Sequence, residues 1–229
     1  MDKFKPRKKY TTTRRSIEAN NLTFQLSQEE GEYLVRLARK AAEEHLKNGK
    51  IIPIPKDASP KLRERCGVFV TINSVKSGEK ELRGCIGYPY PTTLLAQALI
   101  ESAINSATQD PRFYPLTLKE LDNVVFEVSV LTPPEQVTTE DPRKHPSKIK
   151  VGKDGLIIEG GGYKGLLLPQ VPVEWEWNEE EFLCQCCIKA GLPPDSWLLK
   201  DTKIYKFQAI IFEEETPKGK IKRKALGRQ

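Results

Sequence analysis

An arginine and a cysteine two residues apart, in the run Leu82-Arg83-Gly84-Cys85-Ile86-Gly87, are the residues of this sequence best spaced for chemistry. In a strand, alternation puts Arg83 and Cys85 on one face, about 7 Å apart, and turns Leu82 and Ile86 towards a core. A guanidinium close to the thiol, with a helix N-terminus following, would lower the ordinary thiol pKa of about 8.5. The thiolate would then suit nucleophilic or redox work, and Arg83 would hold an anion. The plainer alternative is a small buried Cys85 beside an Arg83 paired with an acid, since cysteine is among the most buried residue types. Gly84 and Gly87 add a separate argument. Glycine weakens a strand, so its presence there marks a bulge or a close approach by another group. A ligand and another part of the same chain both fit that description.

Other residues could complete such a site. Glu127 lies on the less apolar face of the strand-like run Val124–Leu131, where it could pair with Arg83, act as a general base, or simply face solvent. Asp110 and Arg112 flank a proline turn and read either as ligand-binding groups or as an internal ion pair. Gln170 could offer hydrogen bonds to a ligand or satisfy nearby backbone. The run Gly160-Gly161-Gly162-Tyr163-Lys164-Gly165 formally matches a dinucleotide fingerprint, but a strand-like Leu166-Leu167-Leu168-Pro169 follows where a helix must start. It is read as a turn. Cys184, Cys186 and Cys187 lack the further ligands a zinc site needs, so no metal is expected. His145 reaches Cys85 only if its loop folds back, and His45, late in a helix, is read as structural.

The elements that must hold these residues can be placed. Ser27-Gln28-Glu29-Glu30 reads as a capping box opening a helix that Asn48-Gly49 closes. Prolines 53, 55 and 60 make an extended connector. Cys66–Asn73 is a strand, and Ser77-Gly78 turns into the strand that carries Cys85. Thr92 or Thr93 caps a helix running to about Thr108. Leu116–Leu121 is a short helical turn and Thr132–Pro146 a loop with at most a short strand. Gly155–Glu159 and Lys164–Leu168 pair as a hairpin. Trp175 and Trp177 alternate with acids in an extended segment, and Asn178 caps a helix to about Ala190. Lys203–Phe212 is the last strand. The fold class expected is α+β, with a largely antiparallel sheet flanked by helices.

Charge sharpens the functional classes. The net charge is +6, yet residues 1–15 and 216–229 carry +6 each, which leaves −6 on residues 16–215. The expected organisation is therefore a single domain over 16–215, in one piece or two lobes, between two basic flexible tails. Nucleic-acid binding ranks low, because a folded binder carries its basic patch on the domain itself. Five cysteines form an odd set with no export signal, which favours reduced thiols and a cytoplasmic protein. No apolar run approaches the roughly 18 residues that span a bilayer.

Three stretches together resemble the AMMECR-type domain family. They are Leu82–Gly87, then Asp110-Pro111-Arg112-Phe113 with Glu127–Leu131, then Gly165–Val171 with Glu174-Trp175 and Lys189-Ala190-Gly191-Leu192. The resemblance covers about residues 20–213. It implies an α+β domain of two unequal lobes with a cleft between them and a site near Leu82–Gly87. Within that site it supports Arg83, Gly84, Cys85 and Gly87 and, in second rank, Asp110 and Arg112, while Glu127 and Gln170 rest on the reading of the residues alone. It brings no established reaction and no cofactor. Family members occur alongside Memo-type and radical-SAM proteins, which are the partners it implies, and a small molecule or modified peptide is the ligand expected. Tyr88-Pro89-Tyr90-Pro91 departs from the small residues many members have there.

Overall fold

Residues 24–224 are described by the computed structural model, and the N-terminal tail expected at 1–15 lies outside them. The first helix, α1 (Gln28–Asn48), opens on the expected capping box: the Ser27 hydroxyl accepts the Glu30 amide and the Glu30 carboxylate accepts the Ser27 amide. Its apolar stripe (Leu34, Val35, Leu37, Ala38, Ala41, Ala42) is buried. The second helix, α2 (Leu95–Thr108), is apolar nearly all round and packs beside α1. Neither Thr92 nor Thr93 caps it. Leu94 occupies the cap position, and the Leu95 amide donates to the Glu64 carbonyl at 2.8 Å, so a distant backbone group replaces the expected side chain.

Both helices cover one face of a five-stranded antiparallel sheet. Its strands are β1 (Gly67–Lys76), β2 (Glu79–Tyr88), β3 (Val124–Leu131), β8 (Ala209–Glu214) and β9 (Ile221–Lys224), in the order β2-β1-β3-β8-β9. Val68, Val70, Ile72, Phe126, Val128, Val130, Ile210 and Phe212 point into the helix-covered core. Arg39 of α1 enters it too, bonding the Glu214 carboxylate at 2.7 and 2.5 Å and the carbonyls of Leu121 and Val124.

The chain leaves this sheet after β3 and returns at β8, and between them builds a second lobe. Four strands form its sheet: β4 (Glu135–Gln136), β5 (Gly155–Gly160), β6 (Tyr163–Leu167) and β7 (Lys203–Phe207), in the order β4-β7-β5-β6. A four-residue helix, α3 (Val171–Glu174), follows β6. The longer α4 (Glu179–Lys189), capped by Asn178 as expected, buries Phe182, Leu183, Cys186 and Cys187 against Leu156, Ile158 and Ile204. The two crossings between lobes lie side by side. The Thr132 amide donates to the Gln208 carbonyl, and the Gln208 amide donates to Thr132 Oγ1, each at 2.8 Å.

Three expectations are corrected. The single strand Lys203–Phe212 is two strands in different sheets, broken at Gln208, because the chain changes lobe there. The expected C-terminal tail begins too early. Ile221–Lys224 is strand β9, and burial of Ile221 in the main core holds it despite its basic neighbours. Trp175 and Trp177 are not in an extended segment, but follow α3 through a turn and stack on each other, with ring centroids 6.1 Å apart.

Candidate functional site

Cys85 lies near the middle of β2, an outer strand of the five-stranded sheet, opposite Thr71 of β1. Thr71 in turn opposes Glu127 of β3, and Glu127 opposes Glu213 of β8. Register alone thus aligns Cys85, Thr71, Glu127 and Glu213 in one row across four strands, on the face the helices do not cover. The Thr71 hydroxyl donates to Cys85 Sγ at 3.1 Å. Lys224 of β9 pairs with Glu127 at 3.0 Å and lies 3.8 Å from Glu213, which Lys80 also reaches at 3.0 Å.

This face is walled at both ends. At one, the β1–β2 hairpin curls over the sheet until Lys80 reaches Glu213 and donates to the Glu214 carbonyl. At the other, Phe69, Tyr90, Leu131 and Ala209 meet Ile157, Leu166, Leu168, Tyr205 and Phe207 of the second lobe. Between these contacts lies the polar row of Cys85, Thr71 and Glu127. The departure at Tyr88–Pro91 finds its place here, since Tyr90 sits in the seam with Lys164 Nζ 4.1 Å above its ring.

The two glycines answer a question that the sequence leaves open. A Cβ on Gly84 would lie 2.1 Å from the Ser106 carbonyl of α2. Ser106 also donates to the Val70 carbonyl at 2.7 Å and accepts the Ile86 amide at 2.8 Å, which stitches helix to sheet. A Cβ on Gly87 would lie 2.3 Å from the Val68 carbonyl and 2.5 Å from the Phe69 ring. Both close approaches come from the chain itself.

Arg83 departs from simple alternation. Ile72 opposes Gly84 but Asn73 opposes Leu82, so Arg83 is the extra residue of a bulge. Leu82 therefore shares with Asn73 the face the helices leave open and is 42% exposed, rather than buried in the core. The Arg83 guanidinium turns to Glu120, donating at 2.9 and 3.5 Å, and lies 5.8 Å from the Phe113 ring centroid. Its acid is thus Glu120; Glu127 is held by Lys224 instead. Burial raises the Glu120 carboxyl, but the bonds from Arg83 and Thr117 outweigh it and leave the group below its ordinary value.

Asp110 and Arg112 serve the same strand. The buried Asp110 carboxylate accepts the Cys85 amide at 2.8 Å, the Arg112 amide at 3.1 Å and the Arg112 guanidinium at 2.9 and 2.7 Å. Arg112 donates to the Cys85 carbonyl at 3.4 Å. The pair supplies the free edge of β2 with the donor and acceptor that a neighbouring strand would give, a way of protecting a sheet edge. The Arg112 bonds hold Asp110 well below the ordinary carboxylate range. Cys85 shifts the other way. Burial raises its pKa; the Thr71 hydroxyl and Arg112 pull it down, Glu127 and Asp110 push it up, and the net shift is upward.

No hydrogen bond joins Gln170 to this cluster among the described residues. It precedes α3, and its carbonyl accepts from Val173 and Glu174 at 3.1 and 3.0 Å. His145 also belongs to the second lobe, edge-on to Trp197 with centroids 6.4 Å apart. The Trp197 indole donates to Cys184 Sγ at 3.4 Å, and burial pushes the Cys186 and Cys187 thiols up to about 12 and about 11. All five cysteines are free. Among the described residues no group of three or more His, Cys, Asp or Glu could hold a metal ion, and no helix is long and apolar enough to cross a membrane.

The family model for AMMECR1 matches residues 35–212, well over half of the chain. The chain belongs to the AMMECR1 family. Among its relatives, protein PH0010 of Pyrococcus horikoshii is 60% identical over 206 residues, covering 90% of this chain and all of that one. A protein of Thermofilum pendens is 56% identical over 202 residues, covering 86% and 95%. The crystal structure of PH0010 superimposes with a TM-score of 0.76 over 89% of this chain and all of that one, and shares the α+β fold. Neither name states an activity.

Within this AMMECR1 domain, sequence reasoning finds the strand and its edge pair but misses Thr71, Glu120, Ser106 and Lys224. Glu120 carries a readable signal, because Thr117 and Glu120 form a capping box. The other three are near Cys85 or Glu127 only through strand register and helix docking, which leave no local mark.

Proposed function

We propose that this AMMECR1 protein is a binding domain whose groove, floored by Cys85, Thr71 and Glu127, takes a small polar molecule or an extended modified peptide. The observation that carries this reading is the polar row itself. Its Cys85, Thr71 and Glu127 are half-buried, on a sheet face that neither α1 nor α2 covers. Half-buried polar groups on a face left open by the helices favour a ligand that adds further bonds to them. Gly84 and Gly87 set the shape of the floor, and Asp110 with Arg112 holds its edge. In this reading Cys85 contacts ligand as a neutral thiol donor, because burial raises its pKa, and Arg83 is spent on Glu120 instead of an anion.

Alkylation tests the reading. N-ethylmaleimide should label Cys85 in the folded protein ahead of the buried Cys66, Cys186 and Cys187. Its rate should still climb with pH above the ordinary thiol value. Labelling of Cys85 only after unfolding would close the groove, and a rate that levels off below pH 8 would restore the nucleophile.

A second reading has its own observation. Every close approach at Gly84 and Gly87 is filled by the chain itself, which suits a non-catalytic accessory module acting with Memo-type and radical-SAM proteins. Pull-down with intact and Cys85→Ala protein separates the two: equal retention of the same partner favours the module.

A further inference from the structure

The three cysteines of α4 take no part in the groove, and they do not point the same way. Cys186, fully buried, turns to the sheet of its own lobe, where its thiol donates to the Leu156 and Gly165 carbonyls at 3.6 and 3.8 Å. Cys184 and Cys187 stand three residues apart, on one face of the helix. Cys184 is half-buried, and its Sγ accepts the Trp197 indole N–H at 3.4 Å. Cys187 meets the same residue. Burial takes its thiol up to about 11; the backbone amides of Trp197 and Ser196 pull against this, and the nearby Cys184 adds to it. Both sulfurs therefore lie against Trp197, one at its indole N–H and the other at its backbone N–H.

Two thiols so placed are within reach of a disulfide, at the cost of strain. Side chains three residues apart in a helix have Cβ atoms about 5–6 Å apart, and a disulfide needs roughly 3.5–4.5 Å. The difference must come from the helix. Cys187 lies in the last turn of α4, where the ladder is already irregular. The Ala190 amide is shared between the Cys186 and Cys187 carbonyls at 3.1 and 3.0 Å, and the Leu192 amide returns to the Cys187 carbonyl at 2.9 Å. A bridge closed this way is strained, and strained disulfides are the easily reduced kind. Exposure sets which thiol reacts first. Of the five cysteines only Cys85 and Cys184 are not fully buried, and Cys85 faces Thr71 instead of a second thiol.

We propose that Cys184 is a site of oxidation by hydroperoxides and that Cys187 resolves it, giving a reversible disulfide within α4. The Cys184 sulfur attacks the hydroxyl oxygen of the peroxide. An S–O bond forms, the O–O bond breaks, and the other oxygen leaves with the thiol proton as alcohol, or as water from hydrogen peroxide. Cys184 is now a sulfenic acid, oxidised by the two electrons that reduced the peroxide. The Cys187 sulfur then attacks the Cys184 sulfur. The S–S bond forms, the S–O bond breaks, and the hydroxyl leaves with the Cys187 proton as water.

Hydrogen peroxide treatment of the folded protein, read by mass spectrometry, tests this. The tryptic peptide 165–189 carries all three cysteines of α4. It should lose two hydrogen atoms in the parent and in Cys186→Ala, but not in Cys184→Ala or Cys187→Ala, and dithiothreitol should restore them. In Cys187→Ala the sulfenic acid should persist, and dimedone should trap it on Cys184. Oxidation of Cys184 should outpace that of the buried Cys66 by about tenfold or more. If Cys187→Ala fails to fold, Cys184→Ala and Cys186→Ala carry the test. A parent peptide that gains oxygen without losing hydrogen would overturn the proposal. So would a two-hydrogen loss that survives in Cys184→Ala or Cys187→Ala, or a Cys184 that reacts no faster than Cys66.

Discussion

The five-stranded sheet has two faces made by alternate residues of the same strands, and they differ in kind. On the helix-covered face Val70, Ile72, Phe126, Val128 and Phe212 are buried, and the pair of Arg39 with Glu214 is buried and hydrogen-bonded at both carboxylate oxygens. On the other face Thr71, Glu127 and Lys224 are half-buried or exposed, and the buried Glu213 is shared among the exposed or half-exposed Lys80, Lys222 and Lys224. The first face is where stability resides. The second carries groups that cost little to change, as a face shaped for a ligand would. Each prediction below either widens or closes that gap.

The largest effect belongs to the covered face. Arg39→Met should destabilise by about 3–5 kcal/mol in urea unfolding, because it leaves Glu214 charged, buried and unpaired. Adding Glu214→Leu should recover only part of this, since the Phe126 amide loses the acceptor it has at 3.0 Å. Next comes Gly84→Ala, whose Cβ would meet the Ser106 carbonyl at 2.1 Å. Backbone rather than a flexible side chain must give way, so the cost should reach about 3 kcal/mol, the upper end for overpacking.

Asp110 at the sheet edge should lie between the two faces. Asp110→Asn should cost about 2 kcal/mol, since it weakens charge-assisted bonds to Arg112 and the Cys85 amide. Its pH dependence has a fixed sign. The folded pKa lies below the ordinary 3.8, so the contribution is complete above that value and is lost as pH falls through the lower folded one. The variant should lack this acid-side component. A parent and variant with parallel stability curves below pH 4 would contradict the geometry.

The smallest effect is expected at Glu127→Gln, under about 1 kcal/mol. Its partner Lys224 is 43% exposed, and removing the charge also relieves repulsion from Glu213 directly opposite. A loss as large as that of Arg39→Met would mean that the groove face is structural too, and the contrast between the faces would fail.

Local signals were sufficient wherever neighbours in sequence decide the outcome. The Ser27 and Asn178 caps, the β3 alternation and the β5–β6 hairpin are all legible, because capping and period-2 patterning act over a few residues. The Leu82–Gly87 run also announces itself, and so do the acid and arginine of Asp110–Arg112. What short-range pattern could not supply was partnership. Alternation put Arg83 beside Cys85, but a single bulge sent it to Glu120 and turned Leu82 outward. Glycine marked a close approach, but only helix docking showed that Ser106 makes it. One apparent strand, Lys203–Phe212, became two when the chain crossed between lobes at Gln208.

By itself, then, the sequence determined the α+β class, the starts of α1 and α4 and the strand that carries Cys85. Only the tertiary structure decided that this thiol is raised rather than lowered in pKa, that Arg83 is already paired, and that Cys85, Thr71 and Glu127 form one row. The physical reason is that solvent exclusion and cross-strand register depend on segments 14 to 56 residues apart, and no local pattern records which of them will meet.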